Sequence, residues 1–163
     1  MTDIDTTTPD ENTPVFSLQK LYTRDISFEN PNAPFVFAGS MGQPKIDMNL
    51  STKNRQIDAE HCEVTIKVSA QAHDTENDKL LFEVEVEYAG LFYMKNIPEE
   101  HLEILLGVDC PATIFPYVRQ LISQLTGDGG FIPLMLDPVN FSAAFEHNRQ
   151  QIAAQEKAAE TTH

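Results

Sequence analysis

Residues 63–88, EVTIKVSAQAHDTENDKLLFEVEVEY, decide the fold. Val64, Ile66, Val68, Ala70 and Ala72 alternate with Glu63, Thr65, Lys67, Ser69 and Gln71. After the polar segment HDTEND (73–78), Leu80, Phe82, Val84, Val86 and Tyr88 alternate with Leu81, Glu83, Glu85, Glu87 and Ala89. A period of two sustained over this length predicts two strands, each with one buried and one wetted face. The polar turn joins them most simply as a hairpin. Single-faced alternation points to antiparallel pairing, because parallel sheets are usually covered on both sides.

The same period extends upstream. Ile46, Met48 and Leu50 alternate with Asp47, Asn49 and Ser51. In VFSLQKLYTRDISFE (15–29), Phe16, Leu18, Tyr22, Ile26 and Phe28 share one parity, which Lys20 and Arg24 interrupt; Leu21 is the apolar exception on the other. The loop ENPNAP (29–34) ends that strand. Downstream the pattern turns helical. Pro98, Glu99 and Glu100 make a favourable first turn, followed by Leu102, Leu105 and Leu106 before Gly107. A longer helix is expected after Pro111, ending near Thr126 at GDGG, with a wide stripe of Ile114, Phe115, Tyr117, Val118, Leu121, Ile122 and Leu125. A last helix is expected near Pro138 with Asp137 as its cap, and Phe141 and Phe145 on one face. Strands first and helices last predict an α+β domain, a four-stranded antiparallel sheet with helices packed on one face. Residues 1–14 read as a disordered acidic tail, 15–151 as one domain and 152–163 as a flexible C-terminal tail, although IAAQEKAAETTH is able to extend a helix.

The chain has 163 residues and 18.3 kDa, one domain's worth. Its formal charge is −14, and residues 1–110 carry 20 acidic against 8 basic side chains. Such a surface repels phosphate backbones and anionic lipid, which argues against nucleic acid and favours a basic protein or peptide as charged partner. Cys62 and Cys110 lack any CxxC spacing and read as free thiols in a reducing cytoplasm. The N-terminus has neither the basic nor the apolar region of a leader peptide, and the apolar runs are too short for a membrane span.

No constellation for catalysis emerges. His61, His73, His101, His147 and His163 show no metal-ligand spacing, and His61 and Cys62, adjacent on a strand, point to opposite faces. There is no phosphate-binding glycine motif; GDGG at 127–130 follows a helix and reads as its stop. Neither enzyme nor cofactor nor metal site is expected. Two surfaces remain. Glu83, Glu85 and Glu87 project from one strand onto one face, with Asp25 and Glu29 joining from the first strand. Water or a cationic partner must answer such a ladder. Aromatics in the proline-rich loop, Phe35 and Phe37, suit a groove for extended chain.

YTRDISFENPNAPFVF (22–37), AGLFYM (89–94), CPATIFPYVRQLISQL (110–125) and LDPVNFSAAF (136–145) together resemble the SecB family of bacterial export chaperones across residues 15–150. The resemblance implies a homotetramer, a dimer of dimers, with Tyr117 and Leu121 at the interface between dimers. It implies a cytoplasmic protein that holds unfolded precursor proteins without nucleotide or metal and passes them to the SecA motor. Carried onto this sequence, the SecA-docking positions are Asp25, Glu29 and Glu85, flanked by Glu83 and Glu87. The client groove falls on Ile46, Met48 and Leu50, with Phe35 and Phe37 nearby. An acidic adaptor for folded basic partners, with structural aromatics, is the alternative reading.

Overall fold

The computed structural model describes residues 10–162, so most of the expected N-terminal tail lies outside the described residues. Four strands, β1 (Val15–Glu29), β2 (Pro44–Gln56), β3 (His61–Asp74) and β4 (Leu80–Lys95), form one antiparallel sheet in the order β1-β4-β3-β2. Both hairpins close as the alternation requires: residues 57–60 join β2 to β3, and 75–79 join β3 to β4. Consecutive β1 and β2 are the two edges, so residues 30–43 cross the sheet, on the side where Phe37 packs against Phe131 (ring centroids 5.3 Å apart).

The even-numbered residues of β3 and β4 face the helices. Val64, Ile66, Val68, Val84, Val86 and Phe92 are fully buried there. The edge strand β1 departs from simple parity at two bulges. Leu18 pairs with Phe92 and Lys20 with Leu91; Thr23 pairs with Tyr88 and Asp25 with Glu87. Each bulge inserts one residue, and an insertion flips every following side chain. Phe16 and Leu18 lie on the helix side, Leu21 lies there instead of Tyr22, and after the second bulge Ile26 and Phe28 return to it. The expectation that Tyr22 shares the face of Phe16 and Phe28 is thereby corrected: it lies on the outer face, opposite Ala89. Leu81 has a similar explanation. A register shift at Ala72/His73 leaves it unpaired, and it is buried in the core.

The two central helices form a continuous path. Helix α1 (Glu99–Ile104) passes through a π-helical turn, Leu105–Asp109, into α2 (Cys110–Asp128). Gly107 therefore does not stop the helix. Pro111 has no N–H to give the Gly107 carbonyl, and the wider turn, in which the Cys110 N–H donates to the Leu105 carbonyl, absorbs the missing bond. Gly107 serves a different end: a Cβ there would lie 2.6 Å from the Phe145 ring, so its bareness lets α3 (Phe141–Glu160) approach. The cap of α3 is Asn140, whose side chain accepts from the Ala143 N–H at 3.0 Å, rather than Asp137. It lies immediately before the first helical residue, where a cap must be. The helix continues through 152–160, fully exposed.

Helix α2 lies across β4 and β3, burying Cys110, Ile114, Phe115, Val118 and Ile122. Its end is fixed by Thr126, whose hydroxyl donates to the Ile122 carbonyl and accepts from the Leu134 N–H at 2.9 Å. Below it runs an aromatic row, Phe28–Phe82–Phe131–Phe37, with centroid spacings of 5.8, 5.0 and 5.3 Å. The helices thus cover the middle of one sheet face and leave the other face bare.

Candidate functional site

The outer face of the sheet carries the acidic set. Register places Asp25 opposite Glu87, Ser27 opposite Glu85 and Glu29 opposite Glu83, so all five carboxylates occupy one end of one face. Two cross-strand pairs are like-charged, an arrangement that costs stability unless cations answer it. Part of the answer is internal. Glu87 has Arg24 at 3.5 Å and Lys53 at 3.8 Å, and Glu85 has Lys67 at 3.2 Å. Glu83 accepts from the Gln71 amide. Asp25 and Glu29 are exposed. The five carboxylates are therefore unequal, and those on β1 are the most open.

Beside this set lies a network that alternation alone does not reveal. Glu63, 6% exposed, accepts from the Tyr22 hydroxyl, from Arg24 Nη1 at 2.8 Å and from Arg55 Nη2 at 3.1 Å. Burial pulls the Glu63 carboxyl upward, but the hydroxyl and the two guanidinium groups outweigh it and hold the group below the ordinary carboxylate value. Burial, together with the bond to Glu63, pushes the Tyr22 phenol up to about 12. In the sequence the sign of this network is that Arg24 interrupts an apolar parity.

The apolar candidates lie on the opposite side. Ile46 pairs with Ala72, Met48 with Ala70 and Leu50 with Val68, which sets all three on the helix face of β2. Helix α2 lies over β3 and β4, leaving Met48 49% exposed and Ile46 and Leu50 half-buried. Phe35 and Phe37 share one 3-10 turn, Phe35–Phe37, anchored by the buried Val36 between them. Phe35 is 75% exposed, whereas Phe37 rests one side on Phe131. Tyr117 is exposed on α2, stacked on Tyr88 at 6.0 Å, and Leu121 is half-buried one turn on.

Nucleophile chemistry finds no support. Cys62 and Cys110 are buried, and burial pushes both thiols up, that of Cys110 to about 12, so neither forms a reactive thiolate near neutral pH. Among the described residues no group of His, Cys, Asp and Glu is placed to hold a metal, and no helix is long and apolar enough to cross a membrane.

Comparison with known proteins agrees with this architecture. The family model described as preprotein translocase subunit SecB matches residues 9–152. The protein-export protein SecB of Magnetococcus marinus is 48% identical over 143 residues, covering 88% of this chain and 90% of that protein. The protein of the same name from Desulfotalea psychrophila is 45% identical over 138 residues, covering 85% and 88%. Among solved structures, a SecB-like chaperone of Mycobacterium tuberculosis in complex with a ChAD peptide from an antitoxin superposes with a TM-score of 0.63. It is 18% identical and covers 76% of this chain and 90% of that one, a likeness of fold. The SecB proteins are chaperones rather than enzymes. On matches spanning nearly its whole length, this chain belongs to the SecB family of protein-export chaperones.

Proposed function

We infer that this chain holds unfolded precursor proteins, without nucleotide, in a state competent for translocation, and delivers them to SecA in the cytoplasm. The observation that carries this reading is the separation of two surfaces by one sheet: Ile46, Met48 and Leu50 on its helix side, Asp25, Glu29, Glu83 and Glu85 on its bare side. An extended apolar client and a cationic element of the motor fit the two surfaces without competing.

Client capture follows from apolar burial, about 25 cal/mol per Å² before ordering costs. Phe35, Phe37, Ile46, Met48 and Leu50 offer several weak contacts on one connected surface, and linked weak contacts raise effective concentration. A folding chain buries the same side chains, so slow folders are captured and fast folders escape. The peptide complex of the Mycobacterium tuberculosis relative is consistent with this mode. On the other side, cationic docking uses the open carboxylates Asp25 and Glu29 with Glu83 and Glu85, while Glu87, already held by Arg24 and Lys53, adds field rather than contact. A homotetramer is supported by apolar surface left open beside α2: Phe16, Leu18 and Ile26 on β1 are 39%, 39% and 38% exposed, and Tyr117 is 43% exposed. Tyr117 and Leu121 then lie between dimers.

The test is refolding of a slow-folding, chemically denatured precursor, diluted with and without this protein in the absence of nucleotide. Retarded refolding at near-stoichiometric protein, with native precursor ignored, is expected. Unchanged refolding across salt and temperature would transfer the reading to an adaptor for folded basic partners.

A further inference from the structure

On the bare face Glu63 is buried and closed off by three donors, the Tyr22 hydroxyl, Arg24 Nη1 at 2.8 Å and Arg55 Nη2 at 3.1 Å. Charged side chains are almost never buried this far unless paired. As a stabilising device such a pairing is weak, because apolar residues of similar volume often serve as well or better. The second bulge of β1 gives it another use.

Successive side chains of a regular strand point to opposite faces. At this bulge they do not. Thr23 pairs with Tyr88 and Asp25 with Glu87, which leaves Arg24 without a partner on β4. Arg24 reaches Glu63 on the bare face, and Asp25 lies on that same face opposite Glu87. A guanidinium therefore stands immediately beside a carboxylate of the docking set, in a position to neutralise it. Yet among the described residues Asp25 makes no ion pair, while Arg24 gives Nη1 to Glu63 and holds Nε 3.5 Å from Glu87. Arg55 touches the same Glu63 from β2, but three strand spacings, about 14 Å, separate it from β1, too far to answer Asp25.

We propose that Glu63 is a positioning residue of the docking surface: it draws the Arg24 guanidinium across β4 toward β3 and so keeps Asp25 open to a cationic partner. The proposal rests on the SecA-delivery reading and adds to it a residue that touches no partner itself. Tyr22 and Arg55 complete the donors that keep Glu63 anionic in a buried place. Without that anion, the carboxylates nearest to the Arg24 fork are Glu87 and, opposite it, Asp25.

A double-mutant cycle on SecA binding by the full-length protein at low salt tests this. Glu63→Gln keeps an acceptor for the arginines but removes the charge that holds Arg24, and is expected to weaken SecA binding about tenfold. Arg24→Gln alone is expected to change affinity by less than about threefold, because its charge is already held by Glu63. In the Glu63→Gln background the same change should restore nearly wild-type affinity. Arg55→Gln removes an equal charge out of reach of Asp25 and should restore none. Precursor retardation is expected to persist in every variant, since Glu63 faces away from Ile46, Met48 and Leu50. Equal gains from Arg24→Gln in both backgrounds, or equal rescue by Arg55→Gln, would reduce the effect to summed charge and overturn the proposal. Failure of Arg24→Gln to rescue, or loss of precursor retardation together with docking, would leave Glu63 a structural role only and likewise overturn it. If the Glu63→Gln chain does not fold, Glu63→Asp, which keeps the charge and shortens the reach, enters the same cycle with the same deciding outcomes. A wild type that retards refolding but does not bind SecA removes the delivery reading, and the proposal with it.

Discussion

Glu63 permits a sharp test of how the bare face of the sheet is held. It is 6% exposed and has three donors, of which Arg24 at 2.8 Å and Arg55 at 3.1 Å carry the countercharge. Arg24→Gln leaves the carboxylate one guanidinium and the Tyr22 hydroxyl, and Arg55→Gln leaves the same complement. The arginines are 36% and 63% exposed, so solvent screens each pair, and each single change is expected to cost only about 1 kcal/mol. The double variant leaves a buried carboxylate with a phenol alone, and an uncompensated buried charge costs about 3–5 kcal/mol. The effects should therefore exceed additivity by at least about 1 kcal/mol. Urea unfolding at one fixed protein concentration measures all three, since association makes stability concentration-dependent. Acid supplies an internal check. In the wild type the Glu63 carboxyl lies below its unfolded value of 4.5, so its contribution is complete above that value and fades as pH falls through the lower, folded one. In the double variant only the Tyr22 hydroxyl still opposes burial, so the carboxyl titrates higher than in the wild type, protonation relieves the penalty sooner and the gap to wild type narrows as pH drops toward 4. Additive losses with a gap independent of pH would refute the reasoning.

Asp25→Lys and Glu85→Lys should each weaken SecA binding about tenfold at low salt while leaving capture of a denatured precursor nearly unchanged; parallel titrations check this, and equal loss of both activities would sink the two-surface arrangement. Gly107→Ala places a methyl 2.6 Å from the Phe145 ring, so α3 should lift and stability should fall by about 1–3 kcal/mol, read by calorimetry and by faster proteolysis beyond residue 140. The Tyr22 phenol is raised to about 12 from 10.0, so its contribution is complete below 10.0 and is lost as pH climbs toward 12; Tyr22→Phe should remove that alkaline limb, as monitored by unfolding at pH 9 to 12.

The strands were legible because their physics is local. A half-buried strand alternates, and Val64 through Ala72 and Phe82 through Val86 do so without a break. The identity of the family was legible for a different reason, the long ordered motifs in 22–37 and 110–145. What the sequence concealed depended on partners far along the chain. Tyr22, Arg24, Arg55 and Glu63 read as unrelated polar or aromatic residues until the register sets them side by side. Gly107 reads as the end of one helix and Pro111 as the start of the next, and only the packing of Phe145 and the π-helical turn show why neither breaks the path from α1 to α2. The acidic face was visible in period two, yet which of its members are already neutralised was not, because Lys53 and Lys67 reach Glu87 and Glu85 from other strands.

The paired bulges in β1 make that strand behave like a reading frame with slack built in. Each holds one residue, Gln19 or Arg24, that pairs with nothing on β4, so sequence parity and face part company between them and agree again from Asp25 onward. Loss of Gln19 would close the first bulge and leave Leu18 and Lys20 as ordinary neighbours, with Ile26 and Phe28 still under the helices and Asp25 and Glu29 still outside. A single loss with neither bulge free to close would instead be a frameshift in space, although no codon beyond the deletion has changed its meaning. Length variation in this strand among functional homologues should accordingly fall at the two bulges.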